Sequence, residues 1–396
     1  MGNYNMILKF VARFDWLATA SLCAAAFFAV PGTAAGPIAI GGPMPVFQLM
    51  GTDGKMHGPR DWKSSRVLAV AFICNHCTES QLYEQRLNQL ALNYSAKGVS
   101  LIAVQSSNPK AFTDDELAWS DVGESLEDMK ERADLREFRF PYLYDGDSGS
   151  VAIAFGATVA PSIYIFDQDR KLRYAGRIDN DPANGPGTTH EAAAAIDAML
   201  AGTPVAAAIT APRGCLLKLG AGESIAAAQH DKPDDKPVDV SLATADVLTR
   251  LRHNPTGKLL MVNFYATWCG PCVGEFPDLM ATSRMYRSRG FSLTTVSSNT
   301  PDEKPDVLAF LQKMHATTNN LLYGVDDVYA MQEAFDPNVG SAVPVTVLLG
   351  PQGELLLDQK GEIDLMQLRR GILANLPDDP DHAGAQQYWI SALAQH

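Results

Sequence analysis

Two Cys-x-x-Cys pairs constrain this chain more than any other feature. Cys74-Asn75-His76-Cys77 follows the apolar run Val67–Ile73, and Cys269-Gly270-Pro271-Cys272 follows Leu259–Tyr265. Each pair stands where a buried strand hands over to a helix. A thiol there lies exposed at the end of a sheet, and the helix N-terminus stabilises its thiolate. A proline opening a strand follows each pair: Pro161 after Val159-Ala160, and Pro344 after Val343. The pattern predicts an α/β chain with two thiol–disulfide modules in tandem.

The 396 residues leave room for two domains that each bury a core. A net charge of −13 without a Lys/Arg cluster argues against a nucleic-acid partner. Residues 1–35 have the layout of an export signal. Lys9 and Arg13 form a positive start, Trp16–Val30 is apolar, Pro31-Gly32 breaks the run, and Thr33-Ala34-Ala35 offers a cleavage site. The apolar stretch is shorter than the roughly 20 residues a spanning helix needs, although a retained N-terminal anchor is the alternative. The expected location is therefore the periplasm or another exported compartment. Structural bridges are common there, but a two-residue gap at a strand-to-helix turn favours redox pairs.

Strand and helix signals alternate through a first module over residues 41–219. They predict strands at 67–73 and 99–105, helices at 81–92 and 126–138, a hairpin at 162–167 and 171–175, and a closing helix at 190–201. Residues 220–239 form a linker, small and bland and then charged and proline-broken. A second module over 240–376 repeats the scheme, with strands at 259–265, 291–296, 345–349 and 354–358 and helices at 272–288 and 365–375. Residues 377–396 are set apart as a C-terminal tail. The first cysteines are 195 residues apart (74 to 269), and Leu172 and Leu355 each fall eleven residues beyond their proline (161 to 172; 344 to 355). Duplication of one fold accounts for the repeat.

The second module's Met261-Val-Asn263-Phe-Tyr-Ala-Thr-Trp268-Cys269-Gly-Pro-Cys272, with Glu275-Phe276-Pro277, resembles the thioredoxin superfamily, and more narrowly its TlpA/ResA-like exported branch. The resemblance implies Cys269 as exposed nucleophile, Cys272 as buried resolving thiol, Trp268 beside the site and Pro344 as a cis-proline facing the disulfide. Thiol–disulfide exchange needs this division of labour, because an accessible thiolate attacks and a second thiol resolves the mixed disulfide. A cis X-Pro bond would aim the preceding backbone at a bound peptide, which makes Val343, and by analogy Ala160 before Pro161, substrate-binding positions. Thioredoxin's buried aspartate is replaced here by Asn263, which cannot titrate. Glu275 is then either the proton acceptor or a solvated first-turn glutamate.

In the first module, Phe72-Ile-Cys74-Asn-His-Cys77, Phe140-Pro-Tyr-Leu-Tyr-Asp145, Gly156-Ala-Thr-Val-Ala-Pro161 and Tyr174-Ala-Gly-Arg177-Ile-Asp179 resemble AhpC/TSA-type redoxins carrying Cys-Asn-His-Cys. That family often has proline after the second cysteine, where this chain has Thr78. Gly214-Cys215-Leu-Leu-Lys218 resembles the family's closing Gly-Cys segment. Cys215 is either a third thiol able to trap or resolve Cys74, or a half-buried structural thiol. His76 is placed to stabilise a Cys74 thiolate, which would make this pair the more oxidising of the two. Electrons would then run from Cys269/Cys272 toward Cys74/Cys77, with the linker setting their effective concentration.

Peroxidase activity is disfavoured. A peroxidatic cysteine needs Thr three and Pro seven residues before it, but Ala71 and Val67 precede Cys74, and Cys74 and Val70 precede Cys77. The cysteine pairs are too far apart for a zinc ribbon, and no histidine follows either pair to attach haem. No nucleotide or flavin fingerprint is present, so no cofactor or metal is expected. A Cu(I) module using Cys74, Cys77 and His76 is the alternative from another class. The expected partners are protein thiols and disulfides together with a membrane or periplasmic dithiol reductant.

Overall fold

The computed structural model describes residues 38–220, 236–340 and 342–394. The export signal and most of the linker, 221–235, lie outside the described residues. No described helix is long and apolar enough to cross a membrane.

The first module carries strands β1 (Leu49–Gly51), β2 (Met56–His57), β3 (Val67–Phe72), β4 (Val99–Gln105), β5 (Tyr142–Tyr144), β6 (Val159–Ala160), β7 (Ser162–Phe166), β8 (Leu172–Gly176) and β9 (Cys215–Leu216). Its helices are α1 (Thr78–Ser95), α2 (Asp114–Leu117), α3 (Leu126–Leu135), α4 (Ser150–Phe155) and α5 (Glu191–Ala201). The second module adds strands β10 (Ser241–Ala243), β11 (Leu259–Tyr265), β12 (Phe291–Ser297), β13 (Asn319–Tyr323), β14 (Val345–Leu349) and β15 (Leu355–Lys360). With them come helices α6 (Ala245–Arg252), α7 (Gly270–Tyr286), α8 (Lys304–Lys313), α9 (Val328–Phe335), α10 (Leu365–Asn375) and α11 (Ala385–Leu393).

The first sheet runs β2-β1-β5-β4-β3-β7-β8 and the second β10-β13-β12-β11-β14-β15. In each, parallel strands lead to a central strand, β3 or β11, and an antiparallel hairpin follows on its other side. The central strands are buried along their whole length, because helices cover both faces of the sheet. Alternation divides β3 between two cores: Val67, Ala69 and Ala71 pack with Leu87 and Ile163, whereas Leu68, Val70 and Phe72 pack with Phe155 and Phe166. The hairpin leucines pair as the sequence repeat suggests, Leu172 with Phe166 and Leu355 with Leu349.

Both modules belong to one compact unit. Ala118 and Trp119 of the first module enter the core of the second. The stretch expected as a tail contains α11, and its Trp389 is only 1% exposed because the helix packs on α1. Arg132 lies at the centre of the joint, fully buried. Its guanidinium reaches Asp121 at 2.8 Å, Glu84 at 3.2 Å and the Tyr388 hydroxyl at 3.1 Å. Arg370 bonds the other oxygen of Asp121 at 2.7 Å, and the Tyr286 hydroxyl donates to the Ser120 carbonyl at 2.7 Å. Burial alone would raise the Asp121 carboxyl, but Arg132 and Arg370 outweigh it and hold it low.

Candidate active site

The two cysteine pairs occupy different registers. In each sheet a phenylalanine near the end of the central strand pairs with the residue after the proline: Phe72 with Ser162, and Phe264 with Val345. Five residues on (72 to 77; 264 to 269) stands the residue that caps the following helix. In the second module that residue is Cys269, the first cysteine of its pair. In the first module it is Cys77, the second cysteine. The structural repeat is therefore 192 residues (77 to 269), not the 195 that matching the first cysteines suggested. Ser80 stands where the second module has Cys272, and Cys74 lies three residues before the capping position.

Both prolines are preceded by cis peptide bonds, Ala160–Pro161 and Val343–Pro344. They place like carbonyls over like thiols. Cys77 Sγ lies 3.3 Å from the Ala160 carbonyl oxygen, and Cys269 Sγ 3.7 Å from the Val343 carbonyl oxygen. Cys74 instead packs against Ser80, with Sγ to Oγ at 3.9 Å.

The second site is a disulfide between Cys269 and Cys272. Cys269 is 6% exposed and Cys272 fully buried, so the residue expected as an exposed nucleophile is largely covered, though it is the more accessible of the two. Trp268 beside it is 66% exposed. Beneath the site the Asn263 amide donates to Thr346 at 3.0 Å and to Glu275 at 3.4 Å, and the Ile363 N–H donates to Glu275 at 3.0 Å. Burial raises the Glu275 carboxyl above its usual range despite those two bonds. Glu275 is thus a buried glutamate, not the solvated first-turn residue.

The first site holds three free thiols, Cys74, Cys77 and Cys215. Burial would raise the Cys77 thiol, but hydrogen bonds from Cys215 and Cys74 and the charge of His76 hold it well below the usual thiol range. Burial, reinforced by the hydrogen bond to Cys77, pushes Cys74 up. The expectation that His76 stabilises a Cys74 thiolate is corrected on this point. The thiol held low is that of Cys77, and it is on Cys77 that the charge of His76 acts. His76 is 8% exposed, and its Nδ1 pairs with Glu124 at 2.6 Å. Burial disfavours its charge, yet the Glu124 partner wins and raises its pKa. Glu124 also accepts the His76 backbone N–H at 2.8 Å, while Asn75 donates to the Gly123 carbonyl at 2.8 Å. The 118–124 segment therefore ties the first site to the joint between the modules.

Possible metal-ligating atoms fall into two separate groups among the described residues: Cys74, His76 and Glu124, and Cys77, Glu79 and Cys215. The copper trio expected from Cys74, Cys77 and His76 is not one of these groups: Cys74 and His76 fall in one and Cys77 in the other. Glu79, Ser80 and Glu124 were missed in the sequence. Only Ser80 carried a signal, in its distance from Phe72.

A capping cysteine under the carbonyl before a cis-proline, built twice on one sheet topology, defines a thioredoxin-like thiol–disulfide oxidoreductase. An AhpC/TSA family model matches residues 40–175 and a Redoxin family model residues 231–367, so the chain carries these two domains in tandem. It is 29% identical over 147 residues to the thiol:disulfide interchange protein CycY of Rhizobium leguminosarum bv. viciae, covering 37% of this chain and 73% of that protein. It is also 29% identical over 100 residues to the thiol-disulfide oxidoreductase ResA of Bacillus subtilis, covering 25% of this chain and 51% of that protein. Among solved structures, a hypothetical protein from Sinorhizobium meliloti 1021 is 32% identical, with 47% of this chain and 98% of that chain covered and a TM-score of 0.42.

Proposed function

We propose that the chain is an exported oxidoreductase that exchanges disulfides with protein substrates through two sites. The observation that carries this reading is the repeated geometry, with Cys77 under the Ala160 carbonyl and Cys269 beside the Val343 carbonyl. Cys269 attacks a substrate disulfide, Cys272 resolves the mixed disulfide, and Glu275 accepts the Cys272 proton. Trp268, Val343 and Pro344 offer the surface on which an extended peptide docks. In the first site Cys77 is the nucleophile, His76 stabilises its thiolate, and Ala160-Pro161 frames it.

The lowered pKa of Cys77 supports the first site as the more oxidising, so electrons pass from Cys269/Cys272 toward it. The packed joint, and not a linker alone, then sets how the modules meet. A membrane dithiol carrier is the proposed reductant, and cysteines awaiting cytochrome c maturation are the substrate class suggested by the TlpA/ResA-like resemblance. The test is the reduction potential of each site, measured in Cys269→Ser/Cys272→Ser and Cys74→Ser/Cys77→Ser chains equilibrated in dithiol buffers. The first site should be tens of millivolts more oxidising. Equal potentials would remove the relay, and no reversible couple in the first site would leave the second as the only enzyme site.

A further inference from the structure

The first site already holds a peptide. Strand β9 pairs antiparallel with β6, Cys215 opposite Ala160 and Leu216 opposite Val159, directly before the cis-proline. This is the edge on which an oxidoreductase of this geometry would receive a substrate strand. Among the described residues, no strand pairs with the corresponding segment before Pro344.

The approach depends on one glycine. Gly214 has φ +143°, and a Cβ there would lie 2.0 Å from the Ala160 carbonyl oxygen and 2.8 Å from Pro161. The segment is tied down on both sides, by the Thr210 N–H on the Ala175 carbonyl at 3.0 Å and by Lys218 Nζ on Glu116 at 2.5 Å. Between the ties, Arg213, Gly214 and Leu216 are exposed and Cys215 is half-buried. The sulfurs of Cys77 and Cys215 and a Glu79 oxygen lie within 4.8 Å of one another. The Cys215 thiol faces Glu79 at 3.8 Å. Ser80 supplies no thiol where the second module has its resolving cysteine.

We infer that β9 is a built-in substrate strand and that Cys215, not Cys74, is the resolving thiol of the first site. This rests on the two-site reading and goes beyond it. The strand lifts to admit an extended peptide disulfide. The Cys77 thiolate forms a bond to one substrate sulfur and releases the other as a thiolate. When β9 returns, Cys215 gives its proton to Glu79 and attacks Cys77 Sγ. The Cys77–Cys215 disulfide forms, and the second substrate sulfur leaves as a thiolate that takes up a proton. Two protein thiols are oxidised and one substrate disulfide is reduced. The return of β9 also expels the product from the docking edge.

The test uses the full chain carrying Cys269→Ser and Cys272→Ser, treated with 5,5′-dithiobis(2-nitrobenzoate) as the disulfide. Release of the coloured thiolate and peptide mass mapping follow both steps. In this background, with or without Cys74→Ser, Cys77 should take the adduct and then clear it, leaving a Cys77–Cys215 bond. Adding Cys215→Ser should slow clearance at least about tenfold, because the tethered thiol is lost. Gly214→Ala should speed the first step and slow the second. Clearance that needs Cys74 and not Cys215 would overturn the inference and leave the two-site reading standing. An unchanged Gly214→Ala chain would overturn the docked strand. Failure of Cys77 to take any adduct would overturn the two-site reading itself.

Discussion

The two modules repeat one sheet and one capping cysteine, yet they surround that cysteine differently. Beneath the second site lie polar residues, Asn263 and Glu275, on β11 and α7. Counted from the capping cysteine, the first module has Ala71 and Tyr83 at those places (71 to 77 and 77 to 83; 263 to 269 and 269 to 275). Tyr83 turns away to donate to Asp179 at 2.7 Å. In the first module polarity stands beside the cysteine instead, in His76, which takes the place of exposed Trp268. One fold thus places its polar group beside the capping cysteine in one module and beneath it in the other.

The largest expected effect tests whether the capping position defines the nucleophile. Cys77→Ser should abolish adduct formation at the first site, and Cys269→Ser should abolish disulfide reduction by the second. Cys74→Ser should leave Cys77 reactive, as seen by mass mapping after alkylation. Loss of Cys77 reactivity in Cys74→Ser would break the register assignment.

Next in size is the joint that both modules share. Arg132→Ala leaves Asp121 and Glu84 buried without their central cation and should cost about 3–5 kcal/mol of stability in urea unfolding. Asp121 is held low in the folded chain, so its contribution is present above the usual carboxylate range and is lost as the pH falls through the depressed value. The stability gap between wild type and Arg132→Ala should accordingly narrow in acid.

His76→Gln should raise the Cys77 pKa, read from thiolate absorbance, because the charge of His76 helps hold it low. The His76 pKa is raised in the folded chain. Its pairing with Glu124 therefore stabilises fully below about pH 6.5 and fades as the pH climbs through the raised value.

The smallest effect concerns Glu275→Gln. Slowing of second-site exchange by about threefold to tenfold is expected, with loss of the pH dependence that the glutamate confers. Because burial raises the Glu275 pKa, its ionisation costs stability as the pH rises, and the glutamine should be slightly more stable near neutrality.

Much of this organisation is legible in the sequence. The runs that become β3 and β11 are almost wholly apolar, so burial on both faces writes them plainly. The prolines and the leucines eleven residues beyond them mark both hairpins. Cysteine spacing misled, because Cys-x-x-Cys has the same length whether its first or its second member caps the helix. Distance from the phenylalanine that pairs just beyond the proline, Phe72 or Phe264, carries the missing information. Short edge strands such as β2 and β9 have too few residues for a periodic signal, and their pairing is fixed by distant partners. Glu124 left no trace, since 48 residues separate it from His76 and no pattern couples them.

The Arg132 joint also orders events in the life of the chain. Glu84, Asp121 and Arg132 lie in the first module, but Tyr388, which donates to Glu84 at 2.5 Å, lies 304 residues downstream of that partner. A chain that has formed only its first module would hold three charged side chains facing water where the finished protein has a sealed interior. Proteolysis or premature termination between residues 376 and 385 would leave both cysteine sites intact in sequence and the joint open. The fragment would be recognisable by protease sensitivity around 118–135.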